Sequence, residues 1–313
     1  MLSYIIRRLL SILPVMLIAA IIIFVLLHLA PGDPAAVMAG NSATPQTIAE
    51  MRNKMGLDEP LWWQFGVWAL NLLQGDLGQS ILWGTPVTTL LAQRIEPTLS
   101  LTITTTFFAV SLALLLGIAA AAKAGAAFDR LVMAFAVLDF SIPVFVVGYG
   151  LIYIFAIKLK WLPVQGYSSI ADGLGPWLRS LALPTLTLGL IFIALISRIT
   201  RSTLLEVLDE DFMRTARAKG VAGGPLLLKH ALKNAALPIV TVIGMGLGFL
   251  IGGAVITETV YNIPGIGRLL VDAISQRDYP VIQGVTLVFS AVYMLVNLVV
   301  DLSYPLFDPR IRY

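Results

Sequence analysis

The longest polar interruption in the C-terminal two-thirds of this very apolar chain is one segment, Asp211–Pro238. Seven of the 21 Lys and Arg residues fall between Arg198 and Lys233. This Ala-rich, basic stretch predicts a short helix that ends at Gly220, a turn, and a second helix that begins at Pro225. The segment holds no pair of side chains suited to catalysis, so the chemistry it offers is that of a basic docking surface.

Other patterns with chemical meaning argue against an enzyme. The sequence shows no Walker-type phosphate loop, no Ser–His–acid set and no recognisable carboxylate pair. Five glycines lack the strand–turn–helix context and the Lys-Ser/Thr pair of a phosphate loop: Gly244, Gly246, Gly248, Gly252 and Gly253. The Gly248–Gly252 spacing instead predicts close packing of two helices, and these two glycines are also candidates for the wall of a translocation path.

The composition indicates a membrane protein. The chain is 58% hydrophobic and only 12% charged, with a mean hydropathy of +0.88. Soluble globular domains are about 45–50% apolar and about 25% charged. The net charge of +3 is small, and the basic residues do not gather into a face that could bind nucleic acid.

Six apolar stretches approach or exceed the roughly 17–25 residues that a membrane-spanning helix needs: Leu9–Leu29, Thr98–Ala122, Leu131–Ile157, Leu181–Ser197, Asn234–Ile256 and Ile282–Ser303. The first is longer than the apolar core of a signal peptide, which is about 7–15 residues, so we expect it to be retained. The fourth is short and is expected to continue as helix into the cytoplasm. The sequence therefore predicts an all-α integral membrane protein with one transmembrane domain over residues 1–313.

The distribution of Lys and Arg predicts the orientation. With the N-terminus inside, the inner segments carry 13 basic residues in 62 positions and the outer segments eight in 116. Because basic residues concentrate in cytoplasmic loops, we expect both termini in the cytoplasm. Residues 198–237 then form a cytoplasmic loop, and residues 30–97 form a long extracytoplasmic loop that contains short helices.

The residues that commonly bind metals are few. The chain has no cysteine and two histidines, His28 and His230. In the predicted topology these histidines lie on opposite sides of the membrane, which excludes a site built from both. We therefore predict no metal site and no cofactor in this chain.

Asp139 is the most informative single charge, because it lies inside the third apolar stretch. An Asp at the centre of a membrane helix costs about 2.5–3.5 kcal/mol on insertion scales. Two explanations stay open: a structural role beside a neighbouring polar group, or a place on the translocation path or near the cytoplasmic headgroups. Pro143, just beyond it, is expected to bend the helix.

Balanced charges in the third outer segment, residues 257–281, also have two explanations. They form ion pairs within the chain, or they form a rim at the outer mouth of a pathway. The candidates for such a rim are Glu258, Arg268, Arg277 and Asp278, next to Asp272.

The polar segment resembles the cytoplasmic coupling loop of ABC-importer permeases, in the form found in the dipeptide, oligopeptide and nickel group. The resemblance rests on RTARAKG at 214–220 and KHALKNAALP at 229–238. The generic motif begins Glu-Ala-Ala, whereas Arg214-Thr215-Ala216 holds these places here, a departure that the peptide subgroup shares. Similar motifs run along the whole chain: PGDP at 31–34, GLD at 56–58, GDLG at 75–78, WLPVQGY at 161–167 and DPRIRY at 308–313.

The resemblance implies a permease that forms half of a path for di- or oligopeptides across the inner membrane of a bacterium or archaeon. It also implies a second, similar permease, two ABC ATPase subunits that hold ATP and Mg²⁺, and an extracytoplasmic binding protein, which the outer rim would face. ATPase contact is expected at Arg214, Thr215, Ala216, Arg217, Lys219, Gly220, Pro225, Lys229 and His230. The general tendency of Lys and Arg to lie in cytoplasmic loops would also place basic residues in this segment, without any contact to an ATPase.

Other functions stay open from the sequence. The same machinery imports glutathione or nickel complexes in permeases with these motifs, although two histidines and no cysteine favour a peptide over a bare metal. An ion-coupled secondary carrier is a different class, but such carriers show internal repeats and coupling residues, and Asp139 stands nearly alone. A membrane subunit with an assembly or receptor role is the third class.

Overall fold

The computed structural model of the chain describes residues 2–29, 33–39, 44–54, 56–221 and 223–307, and these residues form a bundle of helices. The helices are α1 (Leu2–Leu29), α2 (Pro34–Ala39), α3 (Pro45–Lys54), α4 (Leu61–Leu73), α5 (Val87–Ala122), α6 (Ala127–Ser141), α7 (Val144–Leu151), α8 (Leu174–Leu208), α9 (Asp211–Ala218), α10 (Gly223–Pro225), α11 (Leu232–Val260), α12 (Ile266–Gln276) and α13 (Tyr279–Phe307). A π-helical stretch, Ile152–Lys158, continues α7, and another, Leu226–Ala231, joins α10 to α11. The motif at 308–313 and part of the motif at 31–34 lie outside the described residues.

Helix α8 lies at the centre of the bundle and packs against α5, α6, α7 and α11. On its buried side the hydroxyl of Thr187 is satisfied locally, since it donates to the carbonyl of Leu183 at 2.9 Å. Helices α5 and α8 approach each other closely at Gly117 of α5, where a Cβ would lie 2.7 Å from the Cβ of Thr200 of α8. A residue without a side chain is needed at this contact.

Four helices among the described residues are long and apolar enough to cross a membrane: α5, α8, the continuous helix Gly223–Val260, and Tyr279–Pro305 of α13. The helical extension of the short fourth stretch is confirmed, since α8 runs well beyond it at both ends. The apolar part of α1, Leu10–Leu26, is shorter than these four. The count of six spans and the side on which each terminus lies stay predictions.

The third predicted span is wrong as one helix, because the chain breaks between α6 and α7. The two parts, Ala127–Ser141 and Val144–Lys158, meet at 106°. Pro143 has no N–H to continue the helix, and Ile142 before it takes an extended conformation (φ −107°, ψ 124°). The expected bend at Pro143 is confirmed, but it separates two helices, either as a broken span or as a re-entrant loop.

The segment at 30–97 contains short helices, as predicted. They are α2, α3 and α4. The end of the segment differs from the prediction, because Val87–Pro97 forms the first turns of α5. Pro97 is buried within this helix, so it does not mark the boundary between loop and span.

Candidate coupling surface

Helix α9 is an eight-residue helix with a defined end at each terminus. Asp211 lies in its first turn, where negative charge favours the partly positive helix N-terminus. At the other end the N–H of Gly220 donates to the carbonyl of Arg217 (3.0 Å), and the N–H of Val221 donates to that of Ala216 (3.1 Å). These two bonds form a Schellman motif, which requires the left-handed conformation that Gly220 adopts (φ 87°). The predicted stop at Gly220 is confirmed.

The two sides of α9 have different surroundings. Met213 is fully buried, and Ala216, three residues later, is half-buried on the same side. The other side is exposed and combines one aromatic ring with basic and polar side chains: Phe212, Arg214, Thr215, Arg217 and Lys219. Ala216 therefore packs partly against the chain itself, and its contact with an ATPase stays a prediction.

The basic side chains of α9 are held only weakly by the chain itself. Arg214 pairs with Asp211 at 3.3 Å, and both side chains are well exposed. Pairs of this kind contribute about 0–1 kcal/mol, because water screens them. Arg217 reaches the carbonyl of Leu208 only at 3.5 Å. Both guanidinium groups are therefore available to a partner at little cost.

The helix after the turn begins at Gly223, two residues before the predicted start at Pro225. It continues through Pro238 to Val260, so it includes the fifth span. Pro225 lies in its first turn, where a missing N–H costs no hydrogen bond. Lys229 is exposed and His230 half-buried. The turn is thus directly continuous with a long membrane helix.

A buried apolar cluster attaches α9 to three long helices. Its fully or nearly fully buried members are Ala121 of α5, Leu204 of α8, Met213 of α9, and Leu226, Ala231, Ala235 and Ile239 of the helix that follows the turn. Val221 and Ala216 pack against this cluster. A force applied to the exposed side of α9 therefore acts on the ends of α5, α8 and α11 together.

A buried ion pair lies close to this region and was not anticipated from the sequence. Asp129, at the start of α6, contacts Arg201 of α8 through two nitrogens, one of them (Nη2) at 2.7 Å. The N–H of Gly125 also donates to Asp129 (2.8 Å), which fixes the turn between α5 and α6. The only sign of this ion pair in the sequence is Arg201, a charged residue in the helical extension of the fourth apolar stretch.

Asp139 is buried on the side of α6 that also carries Asp129, Val132 and Ala136. Its side chain is 7% exposed, and its Oδ2 atom has no hydrogen-bond partner among the described residues. The next residue, Phe140, lies under the guanidinium of Arg198, 5.4 Å from the ring centre. A place for Asp139 on the translocation path stays a prediction.

The two candidate path glycines have different environments. A Cβ on Gly248 would lie 2.3 Å from Cε2 of Tyr293, so the close packing of α11 and α13 is confirmed there. A Cβ on Gly252 would meet no described atom within 4 Å. Both glycines border a cavity of about 290 Å³ between α1, α11 and α13. Their role in the path stays a prediction.

Two of the four predicted rim residues are not on the surface. Glu258 is buried; it accepts hydrogen bonds from the hydroxyl of Thr98 (2.7 Å) and the N–H of Arg268 (2.9 Å). The Thr98 oxygen in turn accepts from the N–H of Ile266 (2.8 Å). Glu258 thus holds the start of α12 against α5, and its burial corrects the expectation that it faces a binding protein.

Asp278 is likewise buried, so its predicted place on the outer rim is wrong and its position is structural. It accepts from the hydroxyl of Ser80 (2.5 Å) and from the N–H groups of Ile81 (3.1 Å) and Leu82 (3.3 Å). It thereby ties the loop before α5 to the junction of α12 and α13. Arg277 is exposed, in a left-handed conformation (φ 58°), and remains a candidate for the rim.

Arg268 completes the set of four. It is half-buried, contacts the side-chain oxygen of Asn262, and lies 3.9 Å from Asp272. Internal pairing therefore accounts for this charge. No group of three or more potential metal-binding side chains occurs within the residues that the structure describes.

Two protein-family models match the chain. The model described as "Binding-protein-dependent transport system inner membrane component" matches residues 113–313. The model for the N-terminal part of such membrane components matches residues 1–102. The chain belongs to this family. It is a permease of ABC transporters, and the predicted resemblance and inner-membrane location are confirmed.

Named relatives match this permease over almost its entire length. A probable peptide ABC transporter permease, y4tP, of Sinorhizobium fredii is 54% identical over 310 residues, which are 99% of each chain. The glutathione transport system permease GsiC of Salmonella typhimurium is 47% identical over 313 residues, 100% of both. An inward-facing structure of the MetNI methionine ABC transporter has a TM-score of 0.60 and 19% identity, and the match covers 71% of this permease and 97% of that chain. This last likeness shows the shared fold.

Proposed function

We propose that the chain is one of two permease subunits of an ATP-driven importer, and that α9 docks a separate ATPase subunit. One observation carries this proposal: α9 buries Met213 in a cluster shared with three long helices, while Phe212, Arg214 and Arg217 stay exposed. Aromatic and arginine side chains are enriched at protein–protein interfaces relative to the rest of the surface. The same helix thus offers a contact surface and a rigid attachment to the bundle.

The proposed substrates are small peptides. The two named relatives transport a peptide and glutathione, which is itself a tripeptide. We expect a binding protein outside the membrane to deliver the substrate to a path between this permease and a second, similar one. Membership of a binding-protein-dependent family favours ATP over an ion gradient as the energy source, and nickel complexes are the less supported cargo.

The proposed topology has six crossings with both termini in the cytoplasm. Helix α1 and the α6–α7 pair supply two crossings in addition to the four long apolar helices. This arrangement places α9 and the turn after it in the cytoplasm, where an ATPase is present. It also places α2, α3, α4 and α12 outside, where the binding protein arrives.

Reconstituted uptake tests the proposal. We would measure ATP-dependent uptake of a labelled dipeptide and of glutathione by the whole complex, with the variants Phe212→Ala and Phe107→Ala. Both rings are exposed, but Phe107 lies on α5 away from α9. We expect F212A to lower uptake and the amount of ATPase that co-purifies, and F107A to leave both unchanged. Equal behaviour of the two variants would refute the docking role, and uptake driven by an ion gradient without ATP would refute the importer.

A further inference from the structure

Helix α4 presents an apolar side that the described parts of the chain leave largely exposed. Its sequence, LWWQFGVWALNLL, has no charged residue, and the nearest charges flank it at Glu59 and Asp76. At about 100° per residue, five large side chains fall on one side of the helix. Their exposed fractions are 75% for Trp62, 43% for Trp63, 38% for Val67, 59% for Leu70 and 86% for Leu73.

The other side of α4 rests on the last turns of α1, and this contact sets the depth of the helix. The ring of Phe24 lies 5.4 Å from that of Phe65 and 5.6 Å from that of Trp68, measured between centroids. Nε2 of His28 lies 3.1 Å from Oε1 of Gln64. Phe24 and His28 are at the end of the apolar stretch of α1. Helix α4 therefore lies beside the point at which α1 leaves the apolar layer.

We propose that α4 lies in the outer leaflet, along the boundary between acyl chains and headgroups, and that lipid covers its exposed side. This inference rests on the proposed function, because it takes α1 as a membrane crossing whose outer end is near His28. Trp suits this boundary, since its ring is apolar and its N–H still reaches polar groups. A docking surface for a soluble protein has a polar rim around its apolar centre, whereas this side of α4 is apolar from Trp62 to Leu73.

Contacts before α4 extend this attachment to the rest of the segment. Arg52 of α3 binds Asp58, just before α4 (Nε to Oδ1, 3.0 Å), and also Asp33 near the end of α1 (Nη1 to Oδ2, 2.7 Å). A helix embedded in the leaflet thereby holds α3 at a fixed height above the membrane. The contact of α4 with lipid therefore sets how far the outer segment stands above the membrane at the mouth of the pathway.

Spin labels on single introduced cysteines test this inference, because the chain has no cysteine of its own. The labelled permease would be assembled with cysteine-free partner subunits and placed in lipid nanodiscs. Labels at Trp62→Cys, Leu70→Cys and Leu73→Cys are expected to collide more often with oxygen, which concentrates in lipid, than with a water-soluble nickel chelate. A label at Asn71→Cys, on the exposed polar edge of the same helix, is expected to show the opposite preference.

Two results would overturn the inference. Labels at 62, 70 and 73 that prefer the nickel chelate would show a side that faces water. Labels shielded from both reagents would show a protein partner, such as the binding protein or the second permease. A label at Leu17→Cys, on the exposed side of α1, separates this failure from that of the proposed function. If that label lies deep in lipid, only the inference about α4 fails; if it lies in water, the crossing by α1 fails as well.

Discussion

Truncation of Met213 to alanine tests whether α9 must be held rigidly to transmit motion. The Met213 side chain is fully buried in a cluster with Leu204, Leu226 and Ala231. Removing a buried Met side chain costs about 2–5 kcal/mol, through lost burial and the cavity that remains. An eight-residue helix has little stability of its own. Most of this loss should therefore weaken the attachment of α9 to the bundle.

Hydrogen exchange and transport together measure the effect of M213A. If α9 detaches while the bundle stays folded, a loss of about 2–5 kcal/mol speeds exchange of its amides about 30-fold to 4,000-fold, since each 1.4 kcal/mol is a factor of ten. In proteoliposomes we expect fewer peptides taken up per ATP hydrolysed. ATP hydrolysis itself should continue, and the ATPase should still co-purify, because the exposed side of α9 is unchanged.

Met213→Leu is the matched control. It roughly conserves the buried volume and should cost less than about 1.5 kcal/mol, so uptake per ATP should stay near that of the unmodified protein. Faster exchange in M213A with normal uptake per ATP would show that rigid attachment is unnecessary. Unchanged exchange would show that Met213 does not hold α9 at all.

Three further substitutions test the packing that supports the site. Asp129→Asn removes the charge opposite Arg201, whose side chain is partly exposed, and should lower the free energy of unfolding by about 1–3 kcal/mol; an unchanged unfolding midpoint in detergent would contradict a structural ion pair. Gly117→Ala places a carbon 2.7 Å from a side chain of α8 and should cost about 1–3 kcal/mol. Its control, Gly252→Ala, meets no described atom and should be neutral or slightly stabilising, so equal midpoints for the two would contradict the close approach. Glu258→Ala removes the acceptor of the Arg268 N–H, at about 1–3 kcal/mol, and leaves the Thr98 hydroxyl only the carbonyl of Arg94 at 3.4 Å. Proteolysis of the loop before α12 should become faster; a rate equal to that of the unmodified protein would show that Glu258 does not hold this loop.

Structural features of this permease that depend only on residues adjacent in the sequence could be predicted from the sequence. The end of α9 at Gly220 is one, because a Schellman motif involves only six consecutive residues. The break at Pro143 is another, although its angle of 106° depends on the packing of α6 against α8. Contacts between distant segments could not be predicted. Asp278 binds Ser80 across 198 positions and Glu258 binds Thr98 across 160, and no local pattern indicates which hydroxyl meets which carboxylate.

The continuation of the helix through Pro238 changes the mechanism that the proposed function allows. A helix of 38 residues, from Gly223 to Val260, is about 57 Å long at 1.5 Å per residue, which exceeds the thickness of a bilayer. One end adjoins α9, and the other end carries Glu258, which is hydrogen-bonded to α5 and to the start of α12. Tilting of this helix by an ATPase docked at α9 would therefore displace α12 as well. Under the proposed function, closure of the ATPase pair and rearrangement of the outer mouth are one movement of a single element, and no chain of intermediate contacts is needed.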